Sequence, residues 1–75
     1  MITQQPDQVF CHSGHEYPER PYAFIWNGQR LQVDQVNARW RTPRGKRFLV
    51  STTDNLVFEL DYFEYSGVWQ IKPAG

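Results

Sequence analysis

The sequence predicts an all-β domain: a five-stranded antiparallel meander, with a sixth strand available from the N-terminal arm, curled into a small SH3-like or OB-sized barrel. Three observations carry that expectation. Asn27-Gly28 separates two apolar-alternating runs, and this pair is the strongest short signal for a type I′ hairpin because both turn residues need positive φ. Four turn signals in succession keep the large apolar residues on one face. No segment has a helical period, and no internal repeat or low-complexity run interrupts the pattern.

The stretch Tyr22 to Trp40, YAFIWNGQRLQVDQVNARW, sets the phase for every later strand. A two-residue turn at Asn27-Gly28 places Trp26 opposite Gln29, Phe24 opposite Leu31 and Tyr22 opposite Val33. Ala23 and Ile25 then face Gln32 and Arg30 on the other side. Turn chemistry and hydrophobic phase agree, and that agreement is what fixes register in a half-buried hairpin. Trp26 is left as the one large residue of the hairpin with no apolar partner. Further along, Leu31 and Val33 share one parity while Val36, Ala38 and Trp40 share the other, which predicts a bulge or sharp bend at Asp34-Gln35. Such a bend lets one strand serve two halves of a sheet.

Thr42-Pro43-Arg44-Gly45 supplies the next turn, with Gly45 suited to a left-handed position. Centred on Arg44, it pairs Trp40 with Phe48, Ala38 with Val50 and Val36 with Thr52. Thr53-Asp54-Asn55 comes next, closed by a left-handed Asn55, and sets Val50 against Phe58 and Phe48 against Leu60. The loop Glu64-Tyr65-Ser66-Gly67 then sets Phe63 against Val68, Tyr62 against Trp69 and Leu60 against Ile71. The expected inner face is Tyr22, Phe24, Leu31, Val33, Val36, Ala38, Trp40, Phe48, Val50, Phe58, Leu60, Tyr62, Trp69 and Ile71.

A chain of 75 residues is one domain. At this length folding buries only about 60% of the surface the unfolded chain exposes, so the core must be dense. An aromatic content of 16% meets that need. Residues 1–21 read as a polar N-terminal arm, 22–72 as the barrel and 73–75 as a tail. Within the arm, Val9-Phe10-Cys11 can add an edge strand and Tyr17 can dock on the barrel. A formal net charge of zero gives no global attraction to nucleic acid or an anionic membrane. One cysteine excludes an internal disulfide, and neither a leader nor a membrane span is legible, so a cytoplasmic location is expected.

The run Arg39 to Arg47, RWRTPRGKR, holds five cations around Trp40. Alone it suggests phosphate contacts. The register instead lines Arg41, Arg47 and Asp61 across three strands of the outer face, with Arg39, Leu49 and Glu59 in the next row. Opposite charges so placed pin and solvate a sheet exterior. Arg44 and Lys46 remain at the loop tip. Together with Trp26, Arg30 and Tyr65 they are the candidate binding residues, since aromatic and Arg side chains anchor interfaces and can also stack on single-stranded bases. The bland alternative is that such aromatics cap the barrel ends.

Cys11, His12 and His15, with Glu16 nearby, form the one cluster of metal-ligand types. A zinc site needs four ligands, and the second pair is missing. A flexible arm with an inert or mildly reactive thiol is the expected reading, and no cofactor is expected. The acidic residues read as loop or outer-face groups, not as a paired acid and base in a cleft. Catalysis is not expected.

The residues Pro21, Phe24, Trp26, Gly28, Val33 and Val36, spaced P-x-x-F-x-W-x-G-x-x-x-x-V-x-x-V and followed by Trp40, resemble a family of small uncharacterised bacterial all-β domains. Phe58, Leu60, Gly67 and Trp69 continue the likeness, which covers about residues 18–72. Nearly all these positions are core or turn, so the motif is a signature of fold. Some members of that family are associated with translesion-polymerase-related proteins, and the resemblance implies an accessory role connected with nucleic acid. The function expected from the residues themselves is a non-enzymatic binding or accessory module, with a protein partner ahead of single-stranded nucleic acid and no membrane partner. A metal or redox role of the arm stands behind both.

Overall fold

The structure, a computed structural model, describes residues 7–13 and 18–74. Six strands form one antiparallel sheet in chain order: β1 (Val9–Ser13), β2 (Pro18–Trp26), β3 (Gln29–Thr42), β4 (Gly45–Thr52), β5 (Val57–Phe63) and β6 (Val68–Pro73). The sixth strand is β1, contributed by the arm, and it pairs with β2. The expected placement of Tyr17 falls outside the described residues.

Asn27 and Gly28 both have positive φ, at 52° and 79°, as a type I′ turn demands. The pairs Phe24–Leu31, Ala23–Gln32, Ile25–Arg30 and Trp26–Gln29 form as the turn dictates. Pairing of β2 with β3 covers only this stretch, and from Val33 onward β3 pairs with β4. One long strand therefore belongs to two half-sheets. The bend that allows this is the register shift at Asp34, where the loss of apolar phase predicts it.

A second shift, at Asn37, was not legible in the sequence. The turn after β3 is two residues, Pro43-Arg44, closed by the pair Thr42–Gly45. This moves the neighbouring register by one from the expected one: Trp40 faces Arg47, Arg39 faces Phe48 and Ala38 faces Leu49. The extra residue Asn37 then restores phase, so that Val36 meets Val50. Trp40 and Ala38 consequently lie on the outer face and are exposed, contrary to their expected place in the core. The outer rows run Trp40, Arg47, Asp61, Gln70 and Ala38, Leu49, Glu59, Lys72. Arg41 and Arg39 are not members of them.

Gly45 is required for a different reason from the expected one. Its φ is not left-handed, but a Cβ here would overlap the Tyr62 carbonyl oxygen of β5. The loop after β4 closes through Asn55 at φ 66°, and the buried Thr52 organises it. The Thr52 hydroxyl accepts from Leu56 N–H at 3.1 Å and Asp54 N–H at 3.3 Å. Registers β4–β5 and β5–β6 match the expected pairs throughout.

The sheet curls around Phe24, Leu31, Phe48, Val50, Phe58, Leu60 and Ile71, with Val33, Val36, Trp26 and Trp69 packed at the margin. Phe58 joins the two halves: its ring meets Phe24 edge-on at 5.0 Å and Trp26 at 5.3 Å. Each such aromatic removes a large area from water, which is how so short a chain sustains a core. Tyr22, like Ala38 and Trp40, departs from the expected inner face. The irregularity in β1–β2 pairing skips it, and its ring lies 4.8 Å from His12 and 6.4 Å from Phe10 instead of facing Val33. No helix of the described residues is long and apolar enough to cross a membrane.

Candidate functional site

Antiparallel order places the β3–β4 and β5–β6 turns side by side at one end of the sheet. Thr42 shapes the first, its hydroxyl accepting from Gly45 N–H at 3.0 Å and Arg44 N–H at 3.2 Å. The Glu64 N–H donates to the Arg44 carbonyl at 2.9 Å and ties the second turn to the first. Gly67, at φ 71°, closes that second turn with an N–H donated to the Phe63 carbonyl at 2.8 Å. The contact is close because Gly45 and Phe63 are directly paired with no side chain between the backbones.

Between these turns lies an open groove of about 620 Å³, lined by Pro43, Arg44, Phe63, Glu64, Tyr65 and Ser66. Tyr65 is fully exposed, at 103% of its reference area. Glu64 is already engaged by Arg41 at 3.5 Å, whereas Arg44 enters no ion pair among the described residues. The groove thus offers two aromatic rings, a proline and a cation to whatever lies in it.

The structure brings together Arg44 and Tyr65 of the five candidates, with Lys46 on the adjoining strand. It separates Trp26 and Arg30, which stand by the Asn27-Gly28 turn at the opposite end. Trp26 is half-buried against Phe58, so the expectation that it lacks an apolar partner is corrected: the partner comes from β5, across the curl, where hairpin register alone does not reach. Arg30 lays its guanidinium 4.9 Å from the centre of the Phe10 ring on β1. That cation–π contact gives it a packing role.

Trp40 is the aromatic that sequence reasoning missed. At 43% exposed it shares a shallow groove with Arg39, Arg41 and Lys46. The signal that could have found it is the Thr-Pro-Arg-Gly turn itself, read as two central residues with a threonine cap. Phe63 is an outer-face residue lining the turn groove.

The remaining cation of the basic run is engaged. Arg47 donates from Nε to Asp61 Oδ1 and from Nη2 to Oδ2, with Glu59 3.8 Å from Nε. Hydrogen bonding to Asp61 holds the guanidinium above its ordinary range, with the Asp61 and Glu59 charges adding to it. Lys72 completes the network, 3.2 Å from Glu59 and 3.9 Å from Asp61. The paired-charge reading of Arg47 therefore describes its position.

Cys11 and His12 are successive residues of β1 and project to opposite faces. Cys11 is half-buried, and burial pushes its thiol up from about 9 to about 11. His12 is exposed beside Tyr22. His15 and Glu16 lie outside the described residues. Among the described residues no three His, Cys, Asp or Glu side chains gather as a metal site.

No protein-family model, curated relative or solved structure matches this chain.

Proposed function

We propose that this protein is a non-enzymatic, SH3-like binding module of the cytoplasm that takes an extended, negatively charged segment of a partner protein at the end formed by the β3–β4 and β5–β6 turns. The observation that carries the reading is the fully exposed Tyr65 beside Arg44, in a groove that also holds Pro43 and Phe63. Aromatic and Arg side chains dominate interface anchors because they bury large area at low entropic cost, and Arg adds a directed charge. The groove is open and shallow, which suits a peptide laid across it better than an enclosed small molecule.

Selection from a random peptide library tests this. Enrichment of acidic sequences whose affinity falls at least about tenfold on Tyr65→Ala or Arg44→Ala supports the groove. A library that yields no binder sensitive to either substitution removes it.

A second reading, single-stranded nucleic acid, is favoured by Trp40 lying exposed in a groove with Arg39, Arg41 and Lys46. It agrees with the accessory role that the family resemblance implies. Fluorescence anisotropy with short DNA and RNA oligomers separates the two: binding that weakens steeply with salt and is lost on Trp40→Ala belongs to nucleic acid.

A further inference from the structure

Among the described residues, strand β6 is the last of the sheet and β5 is the one strand it pairs with. The other side of such a strand presents a row of backbone donors and acceptors that can template another strand. Here it is met by Asp7. Backbone to backbone, Asp7 makes an isolated antiparallel bridge with Trp69, and its Oδ2 accepts the N–H of Ile71 at 2.7 Å. In an antiparallel ladder alternate residues point their backbone groups to the same side. Trp69 and Ile71 are therefore the residues of β6 whose backbone faces away from β5. At Ile71 the acceptor is therefore a side-chain carboxylate, standing where a paired strand would present a main-chain carbonyl.

The edge that Asp7 covers is self-complementary. Laid antiparallel against its own copy and centred on Gln70, β6 sets Trp69 against Ile71 of the copy, both with outward backbone groups, so the two residues can exchange hydrogen bonds. Val68 then faces Lys72, and the two Gln70 amides face each other. No like charges are opposed, and Lys72 is already neutralised by Glu59. Val68 is exposed on this edge, and Trp69 is half-buried.

We propose that the β6 edge is a self-pairing surface for a second copy of this chain, and that Asp7 is the strap that keeps it closed in the single molecule. This is independent of the turn groove, which lies at the end of the sheet and shares no residue with it.

The experiment uses the full chain. Sedimentation equilibrium over a roughly hundredfold range of concentration compares wild type with Asp7→Ala and Asp7→Ser, alongside hydrogen exchange of the Ile71 amide. Wild type stays monomeric with a protected Ile71. Both variants associate at least about tenfold more tightly than wild type, and Ile71 protection, reduced in dilute solution, returns with concentration. Adding Gln70→Lys, an exposed outer-face change that opposes two ammonium groups across the two-fold, returns either variant to monomer. Asp7→Asn, which keeps an oxygen acceptor, behaves as wild type. The proposal is overturned if both variants remain monomeric with Ile71 exchange unchanged, if wild type associates as readily as the variants, or if Gln70→Lys leaves their association intact.

Discussion

Arg47 and Asp61 face each other across β4 and β5, and the guanidinium grips both carboxylate oxygens on the convex side of the sheet. Asp61 is buried under this contact, with 6% of its side chain exposed, while Arg47 keeps 34%. Removing the carboxylate takes away both hydrogen bonds of the guanidinium and leaves it Glu59, 3.8 Å away, and water. Asp61→Ala should cost about 1–3 kcal/mol, and Asp61→Asn less, because the amide keeps one acceptor. Urea unfolding midpoints at constant slope give the answer. A loss below about 0.5 kcal/mol would place the pair among ordinary surface ion pairs.

Gly45 tolerates no side chain. The Cβ of Gly45→Ala would overlap the Tyr62 carbonyl, a backbone atom that cannot rotate away. The β4–β5 pair must separate there, at a cost of about 1–3 kcal/mol. The same displacement parts the two turns, so peptide binding at Tyr65 should weaken along with stability. Thermal unfolding and the peptide titration, run together, check both.

Thr52 is buried with its hydroxyl accepting from two loop amides. Thr52→Val preserves shape and leaves both donors without that acceptor, for a predicted loss of about 1–3 kcal/mol. Thr52→Ser retains the oxygen and should lose clearly less. Amide exchange at Asp54 and Leu56 should accelerate in the valine variant alone.

The Cys11 thiol should alkylate at least about tenfold more slowly than a free cysteine near pH 8, because the thiolate is the reactive form and burial suppresses it. The linkage has a definite sign. An acid whose folded pKa is raised is ionised first in the unfolded chain, so stability is intact below about 9 and falls as pH rises from about 9 to about 11. Cys11→Ser should flatten that fall in a stability–pH profile, and an equal slope in both proteins would refute the assignment.

Much of this fold is legible because turn chemistry and apolar phase agree at three of the four turns that the sequence signals. Asn27-Gly28, Asn55 and Gly67 each take the left-handed backbone that their residue types favour, and the strands around them pair as the pattern requires. Thr42 to Gly45 misleads because Trp40 and Ala38 match an inner parity that the chain does not use. A threonine-capped two-residue turn shifts them outward, and Asn37 absorbs the difference with its amide donating to Ser51 Oγ at 2.8 Å. Phase counting cannot see an inserted residue that cancels an earlier slip. The groove shows the same limit: Arg44 and Tyr65 are readable as exposed loop residues, but their adjacency depends on Gly45 drawing two turns together. Trp26 fails for the opposite reason, since its partner Phe58 is contributed by curvature and not by any neighbouring strand.

Sheet order that repeats chain order has a kinetic meaning. Each strand finds its neighbour across a short link, so the meander can zip hairpin by hairpin while the entropy of loop closure stays small at every step. The contacts of Asp7 with β6 are the exception: the bridge to Trp69 and the hydrogen bond from Ile71, which spans 64 positions. Closing so long a loop costs about 2 kcal/mol more than closing a hairpin of a few residues. The curl thus combines pairings that are local along the chain with one seam, at Asp7, whose closure carries the largest entropic cost.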